Sequence, residues 1–480
     1  MGSEQNKIAG NVVSQIAGRL VVLIMSLVTI KLISNYAGTE GTGYYNTIIT
    51  YLTFFITIAD FGLFSIGVRE ISKHPEKHRQ YLDNIFTIRL ISALAVTLIA
   101  VGIAQLTNYD AIIKQGVLIA SIFLFFNLLG SVFDLIFQVR LEMRKVALAE
   151  IIGKILTLGS LALIVAFKMS FNWIIATVSL STVVSIFVKY FLAANDEIPH
   201  LSWDKKIISQ IINLSLPFGM IFILNNFYFK VDTLILFYFK GASQVGIYAI
   251  AYRVLETTIF AASYLSYSLK PLLSSSIDSD KERSAKAVSR GLVFLFSMSL
   301  VIVVVCLPFS RQIILFLSNS DFLAGAPVLV VLAFASIFIY SNTLISEILI
   351  AKDERRYLLI MAVSILLFNV ISNIILIPIY SFYAAAATTL ASEILMLTIG
   401  FLKIRKIIPL QIDFVRLGKL LLSATVAIFI SFGLNIFGLY FILSIMIGIS
   451  IYALLAYTID AVPKEMVKDY LTSLRSKWTH

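Results

Sequence analysis

Five basic residues lie within long apolar stretches of this sequence: Arg19, Arg89, Lys154, Lys230 and Arg253. A charge at the centre of a bilayer costs at least ~2.5 kcal/mol, so each should face protein or water and is a candidate for function. A guanidinium group binds phosphate oxygens in bidentate fashion and stays charged when partly desolvated. The sequence therefore predicts a water-filled, phosphate-binding cationic cavity that uses Arg19, Arg253 and at least one of Arg89 and Lys154.

Local ion pairs are the alternative explanation for these charges. Glu150 and Lys154 are spaced i, i+4, and Arg253 and Glu256 are spaced i, i+3. Both spacings bring two side chains together on one face of a helix. Two arginines have no acidic residue within one turn: Arg19 and Arg89. These two favour the cavity over scattered structural pairs.

Carboxylates inside the apolar stretches are candidates for ion coupling. Glu393 is the best of them, because it lies near the middle of a stretch with no basic residue within one turn. Glu256 and Asp60 are further candidates. Asp60, together with Asp134 and Glu347, lies near a predicted cytoplasmic helix end, where the default expectation is an ion pair with a loop arginine.

Other chemistry has little support in the sequence. Cys306 is the only cysteine and lies in a hydrophobic run, so no disulfide or cysteine-based metal site is expected. His74 and His78 are spaced i, i+4, but Pro75 between them disfavours a helical metal site. No phosphate-binding loop of the P-loop pattern occurs. We therefore expect no catalytic residues, no metal and no cofactor, and the protein is not expected to be an enzyme.

Composition indicates a membrane protein. Of 480 residues, 59% are hydrophobic and 14% are charged, and the mean hydropathy is +0.93. The apolar residues fall in runs of roughly 20, the length that crosses a bilayer as a helix. The net charge of +11 would suggest nucleic acid in a soluble protein. No soluble domain is long enough here to carry such a basic face, so nucleic acid is excluded as a partner.

Apolar runs predict an all-α integral membrane protein with about 14 transmembrane helices. Basic residues test that count, because they should gather on the cytoplasmic side. With both termini in the cytoplasm, 28 of the 38 Lys and Arg residues lie on the inner side, 5 on the outer side and 5 within spans. The predicted spans are 8–34, 43–67, 82–106, 112–138, 146–167, 171–192, 208–238, 245–271, 287–308, 325–350, 357–377, 382–402, 416–435 and 438–459.

A weak internal repeat predicts two lobes. Gly43-Tyr44-Tyr45 opens the second span as Gly246-Ile247-Tyr248 opens the eighth, and Arg144-Lys145 precedes the fifth span as Arg355-Arg356 precedes the eleventh. In each case the two similar motifs are six spans apart. Six is an even number, so the two halves would share one orientation in the membrane. The predicted divisions are an N-terminal six-helix lobe (1–194), a cytoplasmic linker (195–207), a C-terminal six-helix lobe (208–406), two additional helices (407–463) and a cytoplasmic tail (464–480).

Six stretches of the sequence form an ordered set of motifs: Gly18-Arg19; 59–63 with 67–71; Leu141-Glu142 with Glu150 and Lys154; 230–232; 246–253 with Glu256; and 369–393. In this order they resemble the polysaccharide transporter branch of the multidrug/oligosaccharidyl-lipid/polysaccharide exporter superfamily, which includes O-antigen and other repeat-unit flippases. One departure is that the family's usual Tyr-Gly followed by Gly-Ala-Ala reads Tyr380-Ser381-Phe382-Tyr383-Ala384-Ala385-Ala386. Small residues still allow close helix packing there.

This resemblance implies a MATE-like fold that works by alternating access in the cytoplasmic membrane. It implies a lipid-linked oligosaccharide as substrate, on an undecaprenyl or dolichyl phosphate carrier, moved from the inner to the outer leaflet for surface polysaccharide or glycan synthesis. Membrane lipids are the other expected partners, with H⁺ or Na⁺ as candidate coupling ions. It also implies a cationic central cavity.

Four other functions remain to be weighed. A cation-coupled multidrug exporter of the same fold would need an acidic or apolar cavity, and a lipid II flippase would differ only in its glycan. A membrane glycosyltransferase or sugar ligase would need large outer loops, but none exceeds about 17 residues. A structural scaffold would pair all of its intramembrane charges locally.

Overall fold

The computed structural model describes residues 2–193, 198–276, 281–410 and 412–462, and all regular secondary structure within them is helical. Two short 3₁₀ helices, Pro75–Lys77 and Ser320–Gly325, join longer elements. The predicted all-α class is confirmed. The α-helices are α1 (Gly2–Asp60), α2 (Leu63–Lys73), α3 (His78–Leu106), α4 (Ala111–Val139), α5 (Met143–Ala166), α6 (Phe171–Leu192), α7 (Lys205–Lys240), α8 (Ala242–Ser276), α9 (Lys281–Leu317), α10 (Ala326–Ala351), α11 (Arg355–Tyr380), α12 (Phe382–Ile407), α13 (Phe414–Ile436) and α14 (Phe441–Thr458).

Helix α1 consists of two arms that meet at Gly38. This glycine has φ 64° and ψ −167°, a backbone conformation that side-chain-bearing residues rarely adopt. The arms, 2–37 and 39–60, correspond to the first two predicted spans. Twelve described helical stretches are long and apolar enough to cross a membrane, and one of them, Ala17–Lys73, includes both arms. Adding the second arm and α8 to these twelve gives the fourteen predicted spans.

Most helix ends agree with the predicted spans to within a few residues, with two larger exceptions. The predicted second span, 43–67, is interrupted at residues 61–62, where α1 ends and α2 begins. Helix α9 continues to Leu317, nine residues beyond the predicted end at 308, and includes Pro308. The predicted outer loop there is instead the last turns of α9 followed by the 3₁₀ helix, whose Phe322 is fully buried. The residues after Pro308 are apolar enough to keep packing, so the proline does not end the helix.

The chain forms two compact units, Met1–Ala249 and Ile250–His480. The first unit extends past the predicted linker at 195–207, because α7 packs on α1, α2 and α3. The boundary between the two compact units, at Ala249 and Ile250, therefore differs from the predicted lobe boundaries at 194 and 208. Residues 194–197 of that linker and the predicted tail at 464–480 lie outside the described residues.

Within the first unit, the two glycines of the predicted repeat make reciprocal backbone contacts. A Cβ atom at Gly43 would lie 1.7 Å from the carbonyl oxygen of Ala242, and one at Gly246 would lie 1.9 Å from that of Thr39. Thr39 and Ala242 are separated by the same 203 residues as Gly43 and Gly246. The contact is thus symmetric under the repeat, as expected if spans two and eight are equivalent.

Helices α13 and α14, predicted as an addition to the lobes, pack on α9 in the second unit. Val293, Leu300 and Val304 of α9 are buried against Leu420 and Ala424 of α13. The buried hydroxyls of Ser297 on α9 and Tyr452 on α14 lie 3.0 Å apart. Gln312 of α9 also donates to Asn435 Oδ1 of α13 at 2.6 Å, so apolar packing and several polar contacts hold the additional helices to α9.

Candidate functional site

Arg89 forms a buried ion pair with Asp60 in the first unit. Its Nη2 atom lies 2.6 Å from Asp60 Oδ1, and its Nη1 atom donates a hydrogen bond of 3.2 Å to the carbonyl oxygen of Ala59. The side chains are 2% and 19% exposed. Arg89 therefore caps the C-terminal end of α1, where a cation interacts favourably with the free carbonyls.

This geometry corrects two expectations. Arg89 does not face a water-filled cavity, because its side chain is enclosed and bound to Asp60. Asp60 does not pair with a loop arginine; its partner is the intramembrane Arg89. The two residues are 29 positions apart, so no local spacing rule identifies them.

The backbone next to Asp60 explains the glycine of the Asp60-Phe61-Gly62 motif. Phe61 has φ 42° and Gly62 has φ 75°, and the chain turns there from α1 into α2. Helix α7 passes close to this turn, since a Cβ atom at Gly219 would lie 2.5 Å from the carbonyl oxygen of Phe61. Arg89 and Gly219 thus hold the α1–α2 junction from two sides.

Arg19 and Lys154 belong to the pair of packed helices α1 and α5. Gly18, next to Arg19, is the point of close approach, since a Cβ atom there would lie 2.4 Å from Ala147 Cβ. Arg19 is exposed and Lys154 is half-buried. Lys230, the fourth cationic candidate of the first unit, is also half-buried but was not assigned to the predicted phosphate-binding cavity. Arg19 and Lys154 are therefore the two residues of the predicted cavity in this unit whose side chains are accessible.

Arg253 pairs with Glu256 in the second unit, as the i, i+3 spacing predicts. Arg253 Nη1 lies 3.1 Å from Glu256 Oε2, and the side chains are 31% and 25% exposed. The pair is therefore accessible on one side, and its arginine retains donors that can bind a further anion. Arg253 is thus the counterpart in the second unit of the accessible cations in the first.

Glu393 is fully enclosed between α10 and α12. Asn342 Nδ2 donates to Glu393 Oε2 at 2.7 Å and to the carbonyl oxygen of Glu393 at 3.0 Å. Glu393 is 1% exposed and Asn342 is 3% exposed. Asn342 Oδ1 is buried and makes no hydrogen bond within the described part of the chain. A buried carboxylate and a buried amide oxygen thus belong to two side chains in contact, and both are oxygen donors of the kind that a hard cation prefers.

Buried amides and hydroxyls continue from this position between α11 and α12. Asn369 Nδ2 donates to Ser392 Oγ at 3.2 Å, and Asn373 Nδ2 donates to Asn369 Oδ1 at 2.9 Å. The Thr388 hydroxyl donates to Asn373 Oδ1 at 2.6 Å. The sequence did not identify this network, because uncharged amides in apolar runs give no charge pattern; polar residues at helical spacing were the one signal present.

Asp134 likewise differs from expectation. It binds Lys189 in the last turn of α6, with 2.6 Å between Nζ and Oδ1, and not a loop arginine. Asp232, which lies two residues after Lys230, is buried and accepts hydrogen bonds from the Tyr248 hydroxyl and the Thr233 backbone. Among the described residues, His, Cys, Asp and Glu form no group of three that could hold a metal ion.

Comparison with known families places the sequence among polysaccharide biosynthesis proteins. The family model described as "Polysaccharide biosynthesis protein" matches residues 8–277, and the one described as "MatE" matches residues 217–375. Capsular polysaccharide biosynthesis protein CapF of Staphylococcus aureus is 23% identical over 393 residues, or 80% of this chain and 95% of that protein. Probable flippase AglR of Haloferax volcanii is 28% identical over 168 residues, or 34% of this chain and 35% of that protein.

Solved structures share the fold. Lipid II flippase MurJ in an inward closed conformation has a TM-score of 0.76 and 16% identity, covering 93% of this chain and 98% of MurJ. An inward-facing multidrug resistance MATE family transporter has a TM-score of 0.67 and 15% identity, covering 80% of this chain and 95% of that one. The predicted MATE-like architecture is confirmed.

Proposed function

The chain belongs to the polysaccharide biosynthesis protein family, and from this premise we propose that it is a flippase that translocates a polyprenyl-(di)phosphate-linked oligosaccharide. Movement is from the inner to the outer leaflet of the cytoplasmic membrane. The names of CapF and AglR, a capsular polysaccharide biosynthesis protein and a probable flippase, support this substrate class.

The exposed position of Arg19 on a membrane-spanning helix is the observation that carries the proposal. A charge that faces lipid costs at least ~2.5 kcal/mol, so the exposed side of Arg19 is proposed to meet water or a ligand. A phosphate-bearing headgroup is the ligand that arginine binds in bidentate fashion. Lys154 in the first unit and Arg253 in the second are the other accessible cations proposed to bind it.

Alternating access is the proposed mechanism. The cationic residues hold the headgroup while the polyprenyl tail remains in lipid, and the protein then changes between inward-open and outward-open states. An anionic substrate leaving a negative interior gains ~2.3 kcal/mol per charge per 100 mV. Arg89 acts indirectly in this scheme, by holding the α1–α2 junction through Asp60.

Glu393 is the proposed site of ion coupling. Its carboxylate and the Asn342 Oδ1 atom would bind H⁺ or Na⁺, because both are buried oxygen acceptors on adjacent helices. Glu256 and Asp60, the other two candidates, bind Arg253 and Arg89. Each would have to exchange its arginine for a cation, which makes Glu393 the preferred site.

Translocation of a labelled polyprenyl-diphosphate glycan in proteoliposomes tests the proposal. Arg19→Ala and Arg253→Ala should each lower the rate about tenfold or more, since a lost charge-assisted hydrogen bond costs ~1.5–3 kcal/mol. Arg311→Ala is the matched control, because Arg311 is an exposed arginine near the C-terminal end of α9 and is not part of the proposed site. Folded variants at positions 19 and 253 that transport as well as wild type would overturn the site assignment.

A cation-coupled multidrug exporter is the second candidate. The "MatE" model match over residues 217–375 favours it. It would need an acidic or apolar cavity to bind organic cations, whereas the accessible charges identified above are Arg19, Lys154 and Arg253. A lipid II flippase would use the same cationic residues and differ in the glycan it accepts.

A further inference from the structure

A cavity of about 550 Å³ lies at the basic end of the second unit, apart from every residue assigned above. It is formed by the first turns of α9 and by the connection from α12 to α13. Its charged lining residues are Glu282, Lys286 and Arg290 of α9, with Asp413 and Arg416 at the start of α13. The positive-inside pattern assigns this end of the helices to the cytoplasmic face.

Basic groups enter the cavity from two helices. Lys286 and Arg290 are spaced i, i+4 on one face of α9, with Ser289 between them, and Arg416 faces them from α13. Lys286 contacts Glu282 at 2.9 Å, but the two side chains are 67% and 79% exposed. Such an exposed pair contributes little to stability, so Lys286 can turn to a stronger anion at small cost.

Apolar residues beside the cavity place it at the membrane surface. Phe414 and Val415 are 74% and 70% exposed, and they immediately precede Arg416. They begin α13, a helix apolar enough to cross the bilayer. A headgroup bound to Arg416 would therefore have its acyl chains next to Phe414 and Val415.

We propose that this cavity binds the phosphodiester headgroup of an anionic phospholipid from the cytoplasmic leaflet. Basic pockets between transmembrane helices on this side suit such headgroups. The three basic and two acidic lining groups give a net charge of +1. That charge complements a monoanionic phosphodiester better than the diphosphate of a polyprenyl carrier. The proposed occupant is therefore a phospholipid of the surrounding membrane and not the transported carrier lipid. The proposal does not depend on the transported substrate.

Native mass spectrometry of the full-length protein in detergent tests this site, with phosphatidylglycerol and phosphatidylcholine as probes. Wild type should retain phosphatidylglycerol over phosphatidylcholine. The double variant K286Q/R290Q should lose that retention at least about tenfold, because each interfacial cation contributes several-fold to anionic lipid binding. The matched control R405Q/K406Q removes one Arg and one Lys from the exposed end of α12, outside the cavity, and should retain the lipid.

Ser289→Phe distinguishes lipid binding in the cavity from attraction of the lipid to the basic surface in general. It fills the space between Lys286 and Arg290 while leaving every charge in place, so it should also abolish retention. Retention unchanged in K286Q/R290Q or in Ser289→Phe would overturn the proposal. Displacement of phosphatidylglycerol by millimolar inorganic phosphate would overturn the lipid as occupant, and a preference for undecaprenyl diphosphate would identify a substrate site instead.

Discussion

Arg89 shows how a charge within the membrane can be structural. Its guanidinium neutralises Asp60 and donates to the carbonyl oxygen of Ala59 at the end of α1, and the residues that follow turn into α2. Removing one partner of a buried pair leaves the other charge uncompensated, which is far more costly than removing both. The pair therefore belongs to the fold of the first unit, and only the more accessible cations are left to contact a substrate.

Arg89→Ala should lower the free energy of unfolding by about 3 kcal/mol, because Asp60 would remain charged and poorly solvated. The double variant Asp60→Ala/Arg89→Ala should be less destabilised than Arg89→Ala alone. Thermal unfolding of the purified protein in detergent measures both. A double variant at least as unstable as Arg89→Ala would show that the pair contributes more than mutual neutralisation.

Glu393→Gln separates the charge of this residue from its shape. A glutamine keeps an oxygen that can accept from Asn342 Nδ2, so the variant should fold as wild type does. If Glu393 binds the coupling ion, transport by the variant should no longer respond to a proton or sodium gradient. Proteoliposomes with and without each gradient make the measurement. An unchanged gradient response would exclude Glu393 from coupling.

The predictability of these sites depended on how far apart the partners lie in sequence. Arg253 and Glu256 are one turn apart and were predicted as a pair. Arg89 and Asp60 are on different helices, and Asn342 meets Glu393 only because α10 packs on α12. Such contacts are set by tertiary packing, which no spacing rule in the sequence contains.

At the scale of helices, the apolar runs predicted most helix ends because both depend on the thickness of the bilayer. The breaks were harder to predict. Gly38 divides α1, and Phe61 with Gly62 begins α2 as a separate helix, through backbone conformations that hydropathy does not report. Helix α9 continues beyond its predicted end at Pro308, because one proline does not outweigh the packing of the apolar residues that follow it.

Gly43→Ala tests the close approach of the second arm of α1 to α8. The added Cβ would meet the Ala242 backbone, which cannot rotate away, so we expect a loss of about 2 kcal/mol of stability. Gly159→Ala in α5 is the matched control: nothing lies within 4 Å of a Cβ there, and the change should be neutral or stabilise by up to ~1 kcal/mol. Equal unfolding temperatures for the two variants would contradict the observed packing.

For the whole molecule, the distribution of Lys and Arg supported the number of spans predicted from the apolar runs and predicted their direction, because charge bias acts over the entire chain. The twelve described stretches that could cross a membrane, together with the second arm of α1 and with α8, agree with that number. How the protein moves between states is not encoded in such a pattern. The proposed alternating access must instead be tested at contacts that it would require to open, and we propose the contact between Thr39 and Ser243 as one of them.

A disulfide between Thr39→Cys and Ser243→Cys should stop transport. The two hydroxyl oxygens lie 2.9 Å apart, so two cysteines could form a disulfide of ~2.05 Å with little movement. The native Cys306 is buried and should not compete. Oxidation should halt translocation and a reductant should restore it, while each single variant stays active. A cross-linked protein that transports normally would exclude opening at this end.

The most direct measurement of the central claim compares two substrates in wild-type proteoliposomes. One is a fluorescent polyprenyl-diphosphate oligosaccharide and the other is ethidium, an organic cation. The cationic residues Arg19, Lys154 and Arg253 predict transbilayer movement of the lipid-linked glycan and no transport of ethidium. Transport of ethidium without movement of the glycan lipid would contradict the flippase proposal and identify the protein as a drug exporter.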